Sequence, residues 1–256
     1  MLSKRTGRVV AGLILGSLWW SLACAGKKAK HDPKQTTAYR VRLAQSQFQA
    51  GRVNEALALL DEAIRSEPRN AGLFNYSGQI CFVAGRQAEA ERRLLQALEI
   101  DAQLTDAHNT LGAVYSETGR KDEAEREFKR VLEDPVYPTP EKAYLNLGTL
   151  YVSQGREQEA LGALRRAVEI NPRYLDAHYQ LAALLDKRGN LDEAAREYEV
   201  AGPGYRNNGE YHYRLGLTYV RLGEQDKARE SLRRALAVSP GSPSAAQAEE
   251  LLKTLR

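Results

Sequence analysis

Apolar positions recur along the chain with a helical spacing that restarts about every 34 residues. Within 141–174, Tyr144, Leu147 and Tyr151 fall on one face of a first helix, and Ala160, Leu164 and Ala167 on one face of a second, the spacing of amphipathic helices. Six copies of this two-helix unit align, over 37–70, 71–104, 105–140, 141–174, 175–208 and 209–242. Glycine is the ruler: Gly51, Gly85, Gly119, Gly155, Gly189 and Gly223 stand 34, 34, 36, 34 and 34 residues apart. Each is expected to close the first helix (A) of its repeat, where a left-handed residue costs least without a Cβ. Small residues are expected where the two helices cross: Ala44, Gly78, Gly112, Gly148, Ala182 and Gly216 on A, against Ala56, Ala90, Ala124, Ala160, Ala194 and Ala228 on B. Pro68, Pro172 and Pro240 are expected to end helix B, because proline cannot continue a helix. The stretch "SPSAAQAEELLKTLR" predicts a final helix over 243–256, with Ser242 as its cap and Pro243 in its first turn.

Two places interrupt the register. "EDPVYPTPEK" adds two residues and three prolines between the third and fourth repeats, and "VAGPGYRNNGE" ends the fifth B helix at Gly202. Both are candidates for bends or binding loops.

This pattern closely resembles the tetratricopeptide repeat. The resemblance implies an all-α fold: a right-handed superhelix of six tetratricopeptide repeats with a C-terminal capping helix, stabilised by stacking, since lone helices of about 14 residues are marginal in water. It also implies a groove lined by the A helices. Carried onto this sequence, the groove positions are Phe48, Asn75, Tyr76, Gln79, Phe82, Asn109, Leu145, Asn146, Thr149, Tyr179, Tyr213 and Leu217. Aromatic rings there can anchor apolar side chains, and amides can bond an extended peptide. The two-carboxylate clamp of chaperone-binding members is not evident, because Val41 stands where its first lysine would fall. His108, His178 and His212 share the fourth position of their repeats, a packing position in this family.

The N-terminus carries a different signal. "MLSKRTGR" is basic, and the twelve residues Val9–Trp20 are mostly apolar. That run is short of the roughly 20 residues a membrane-spanning helix needs and reads as a secretory signal peptide over 1–23. "SLAC", ending at Cys24, resembles the lipobox of bacterial lipoproteins, with Ser21 where leucine is usual. The resemblance implies cleavage before Cys24 and a diacylglycerol on its sulfur, leaving 24–36 as a lipidated basic tether.

Charge follows from that processing. The whole chain has 37 basic against 33 acidic residues, a net +4. Removing Lys4, Arg5 and Arg8 leaves 34 against 33, and removing also Lys27, Lys28, Lys30, Lys34 and Asp32 leaves 30 against 32. The surplus therefore belongs to the signal and the tether, so the alkaline pI is not the mark of a nucleic-acid binder. A tether of this sign suits anionic headgroups.

No phosphate loop, nucleophile elbow or paired-carboxylate site stands out, and the histidines lack metal-ligand spacing. No enzymatic activity, cofactor, metal, small-molecule substrate or nucleic acid is expected. Cys81 reads as a buried, inert thiol. A lipidated array of six such repeats resembles the type IV pilus biogenesis lipoproteins of the PilF, PilW and Tgl kind, and agrees most closely in size, repeat count and cysteine-anchored start with the Tgl type. That resemblance implies a protein of the periplasmic face of the bacterial outer membrane that binds secretin subunits and promotes secretin assembly, supporting pilus-dependent motility. The alternative is a periplasmic scaffold regulating a cell-wall enzyme.

Overall fold

The computed structural model describes residues 33–255. The signal peptide, Cys24 and the tether up to residue 32 lie outside the described residues. Those described form α1 (Pro33–Gln49), α2 (Val53–Ser66), α3 (Ala71–Val83), α4 (Gln87–Ile100), α5 (Thr105–Glu117), α6 (Lys121–Glu133) and α7 (Pro140–Ser153). They continue through α8 (Glu157–Ile170), α9 (Leu175–Lys187), α10 (Leu191–Ala201), a 3₁₀ turn (Gly202–Gly204), α11 (Gly209–Leu222), α12 (Gln225–Val238) and α13 (Pro243–Thr254). The fold is all-α, as the periodicity predicts. The array divides into two compact units, one ending at Arg69 and the other beginning at Asn70.

In the first unit α1 packs on α2. Helix α1 starts at Pro33, inside the segment assigned to the tether; proline suits a first turn, where its missing N–H has no intrahelical partner to lose. Ala44, Ala56, Leu60 and Ala63 are fully buried, and Arg40 Nε reaches Glu62 at 3.0 Å.

The second unit is built of the pairs α3/α4, α5/α6, α7/α8, α9/α10 and α11/α12. Each B helix packs on the next A helix, and α13 covers α11 and α12. Within a pair the helices approach with almost nothing between them. A Cβ on Gly112 would lie 2.6 Å from Phe128 Cε1, and one on Gly148 would lie 2.6 Å from Leu164 Cγ. Phe128 and Leu164, at most 1% exposed, fill those crossings; burying such a side chain stabilises by roughly 1.5–3 kcal/mol. The A helices end alike. Gly155 has φ 73°, and the N–H of Arg156 reaches back to Tyr151 O at 2.9 Å, a Schellman closure that a side chain at residue 155 would strain. The B helices α2, α8 and α12 stop two residues before Pro68, Pro172 and Pro240, since the residue before a proline is pushed out of the α region.

Ion pairs tie neighbouring repeats. The Arg120 guanidinium lies 4.0 Å from the Tyr115 ring centroid and binds Glu91 at 2.6 Å. Arg156 repeats the arrangement over Tyr151 at 4.2 Å and binds Glu125 at 2.6 Å. With Lys129 and the Tyr151 hydroxyl beside it, Glu125 is held down at about 2.

The proline-rich joint is pinned rather than loose. Thr105 donates to Asp134 at 2.7 Å, Val136 N–H to the same carboxylate at 3.0 Å, and the buried Tyr137 hydroxyl to Asp106 at 3.0 Å. At the second interruption α10 stops at Ala201 and the 3₁₀ turn brings Tyr205 onto Tyr179, centroids 4.6 Å apart.

His108, His178 and His212 are buried to 7% exposure or less. His108 Nε2 faces the Ala102 carbonyl at 3.1 Å, and Nδ1 faces Glu127 at 2.5 Å. Both partners are acceptors, so both ring nitrogens must donate. The Glu127 hydrogen bond raises the His108 pKa above its ordinary 6.5, against the opposing effect of burial.

Two predictions follow from the packing and one from the histidine. Gly148→Ala overpacks the α7/α8 crossing and should cost about 1–3 kcal/mol. Gly162→Ala, mid-helix with nothing within 4 Å of the added Cβ, should stabilise by about 0.5–1 kcal/mol. Urea titration of the helical circular dichroism signal measures both. A raised folded-state value means that the His108 contribution is complete below the unfolded value of 6.5 and is lost as pH rises through the folded one. The urea midpoint should therefore fall as pH rises across that window, and His108→Gln should flatten the dependence.

Candidate partner-binding groove

The proposed groove positions lie on the A helices. In α3, Asn75, Gln79 and Phe82 are spaced to form one stripe, with Tyr76 beside it. Leu145 and Thr149 repeat the spacing on α7, and Tyr213 and Leu217 on α11. Successive A helices touch directly, α3 with α5, α5 with α7 and α7 with α9, so these stripes form a continuous layer. Phe48 belongs to α1 in the first unit, where it is half-buried.

Within the second unit the positions divide by environment. Tyr76, Gln79, Phe82, Asn109, Leu145, Asn146 and Leu217 are half-buried and Thr149 is exposed. Asn146 Nδ2 donates to Asn109 Oδ1 at 3.0 Å, which joins α7 to α5 and leaves the remaining donors and acceptors of both amides for other partners. Thr149 donates to Leu145 O at 3.0 Å. Asn75 is 7% exposed, and its Oδ1 is buried without a hydrogen-bond partner.

Two positions take part in the packing as well. Tyr179 stacks on Tyr205 and meets Tyr198 edge-on at 5.8 Å; burial is the main cause that raises its hydroxyl pKa. Tyr213 packs against Leu232, Ala235 and Ala248, under the terminal helix.

The same layer carries residues that the sequence reading passed over. Val83, 69% exposed, follows Phe82, and Val152, 39% exposed, holds on α7 the place Phe82 holds on α3. That shared register was the available signal. At the far end, Asp186 accepts from Thr218 at 3.1 Å and from Arg221 at 2.8 Å, linking α9 to α11. From α3 to α7 the named groove positions are uncharged and suit apolar side chains and the polar backbone of an extended segment, while the exposed Glu117 holds on α5 the place Val83 holds on α3 and the exposed Lys142 stands one turn before Leu145 on α7.

Other chemistry is sparse. Among the described residues no group of three or more His, Cys, Asp or Glu is placed to hold a metal ion, and no helix is long and apolar enough to cross a membrane. Cys81 is fully buried, and burial pushes its thiol up to about 11, the opposite of an activated nucleophile.

Models of the tetratricopeptide repeat match residues 41–104 and 109–174, 151–215 and 209–242. Among solved structures, PilW, a widely conserved type IV pilus biogenesis factor, is 23% identical, covering 86% of this chain and 98% of its own with a TM-score of 0.74. Pseudomonas aeruginosa PilF is 18% identical over 86% of this chain and 99% of its own, with a TM-score of 0.78. YrrB, a repeat protein with an unusual peptide-binding site, is 25% identical over 75% of this chain and 97% of its own, with a TM-score of 0.57. One curated relative, the tetratricopeptide repeat and J domain-containing co-chaperone DNJ1 of Cryptococcus neoformans var. grubii, is 38% identical over 63 residues. That match spans 25% of this chain and 12% of the co-chaperone. The likenesses to PilW and PilF establish a shared architecture, and the repeat models cover more than half of the sequence: the chain belongs to the tetratricopeptide repeat family.

Proposed function

We propose that this protein is a lipid-anchored scaffold of type IV pilus assembly that binds secretin subunits at the periplasmic face of the bacterial outer membrane and promotes their assembly. The observation that carries the binding role is the set of uncharged groove positions from α3 to α7, where the Asn109 and Asn146 amides meet beside Tyr76, Phe82, Leu145 and the exposed Val83. A scaffold of this kind acts by holding a partner segment, with no catalytic step of its own. The likeness in architecture to PilW and PilF over almost their whole length supports the pilus assignment, and size and repeat count, together with the cysteine-anchored start, favour the Tgl type within that group. Cys24 carries the lipid. One acyl chain binds a membrane only marginally, so the several chains of a bacterial lipoprotein supply stable attachment, and the lysines of 24–36 add attraction to anionic headgroups.

Capture from detergent-solubilised envelopes by the tagged full chain, read by mass spectrometry, tests the partner. Secretin subunits should be enriched, and Val83→Arg/Thr149→Arg, at exposed positions of the layer, should reduce them about tenfold by burying charge against an apolar partner. Capture of a cell-wall enzyme without secretin would sink the pilus assignment. Cys24→Ala should move the protein out of the outer-membrane fraction; its retention there would contradict the anchor.

A further inference from the structure

The three buried histidines make one contact in common and differ in another. Each Nε2 faces a backbone carbonyl six residues upstream: Ala102 for His108 and Pro172 for His178, both at 3.1 Å, and Arg206 for His212 at 2.9 Å. That shared bond fixes the imidazole in the same attitude in all three repeats. In His108 and His178 Nδ1 points to the B helix of its own repeat, toward the residue 19 further along. In the third and fifth repeats this residue is a carboxylate, Glu127 or Glu197, and it closes on Nδ1. In the sixth it is Ser231, which carries a hydroxyl where glutamate carries a further methylene and a carboxylate.

A cavity of about 320 Å³ lies beside this position, lined by His212, Ser231, Tyr211, Tyr219, Lys227, Glu230 and Arg234 among others. His212 is 5% exposed and Ser231 7%, so the floor is built from buried polar groups. The charged groups facing it from α12 are two cations and one anion. Glu230 is engaged by Arg234 at 2.8 Å, while Lys227 Nζ stands 5.3 Å over the Tyr219 ring and 3.9 Å from Glu224. Glu199 of α10 is engaged by the Tyr219 hydroxyl.

We propose that this cavity is a carboxylate-binding site. A ligand carboxylate takes the seat that Glu127 and Glu197 occupy in their own repeats, accepting from His212 Nδ1–H and the Ser231 hydroxyl under the field of Lys227 and Arg234. Nδ1 must be protonated to donate, because Nε2–H is already given to the Arg206 carbonyl. The carboxylate comes from an acidic side chain or from a chain terminus of a binding partner. The cavity is lined by α11 and α12 of the last repeat, so the assignment is independent of the pilus reading and of the groove positions from α3 to α7.

The test uses the full chain in detergent micelles with ¹⁵N-labelled histidine, His212 being assigned by the signals lost in His212→Gln. Sodium acetate is titrated against sodium chloride at matched ionic strength. Acetate should shift the His212 ring signals saturably, and chloride should not. Ser231→Glu, which supplies the carboxylate from within, should weaken the acetate response at least about tenfold, as expected when a charge-assisted hydrogen bond is pre-empted. Lys227→Gln/Arg234→Gln, at exposed positions, should weaken it several-fold and serves if Ser231→Glu does not fold. N-acetylglutamate α-amide against an N-acetylated dipeptide with a free C-terminus distinguishes the two sources, the tighter binder naming the ligand. His212 signals that respond equally to acetate and chloride, or an acetate affinity unchanged in either variant, would overturn the proposal.

Discussion

Each repeat of the larger unit depends on two helices that cross with almost no side chain between them. Gly78, Gly112, Gly148 and Gly216 leave room on the A helix that Leu94, Phe128, Leu164 and Leu232 fill from the B helix. The fit is a steric requirement as much as an apolar one, since an added methyl group would fall within the radius of its neighbour. In the fifth repeat Ala182 stands at the A position and the fully buried Tyr198 at the B position, both in one core cluster. That tyrosine carries a hydroxyl where the other crossings carry only carbon, and the hydroxyl is buried without a hydrogen-bond partner. The fifth repeat is thus the one in which the crossing is least regular, and it is also the one whose B helix ends early.

Stacking turns those local fits into a surface. Arg120 and Arg156 each reach back to a glutamate of the preceding repeat while covering a tyrosine of their own, so the same residue closes a turn and sets the spacing to the next pair. The buried histidines do a similar task from the other end, joining an A helix to the turn before it and, in two repeats, to a glutamate of the B helix. The result in the second unit is a continuous layer of A helices whose exposed groups are set by packing behind them. Such a layer is pre-organised for an extended partner, which lowers the ordering cost of binding.

Helix boundaries, the ruler glycines and the crossing residues were legible because each follows from the period and from a local rule about glycine, alanine or proline. The start of α1 was less so: Pro33 reads equally as a linker residue or as a first turn. The pinning of the proline-rich joint depends on Tyr137 meeting Asp106 across 31 residues, a contact that no local pattern announces. Tyr179 and Tyr213 occupy groove positions by register, yet their rings are shared with the packing because the Gly202–Gly204 turn delivers Tyr205 and the terminal helix covers the last repeat. The histidine–glutamate pairs escaped notice because 19 residues is no helical spacing; only its recurrence at His108 and His178 betrays it.

The central claim is that the A-helix layer of the second unit receives an extended partner segment. Hydrogen–deuterium exchange of the full chain, alone and with detergent-solubilised secretin, measures this directly. Added protection should concentrate in peptides from α3, α5 and α7, with α4, α6 and α8 unchanged. Protection confined to the B helices, or none at saturating secretin, would contradict the account.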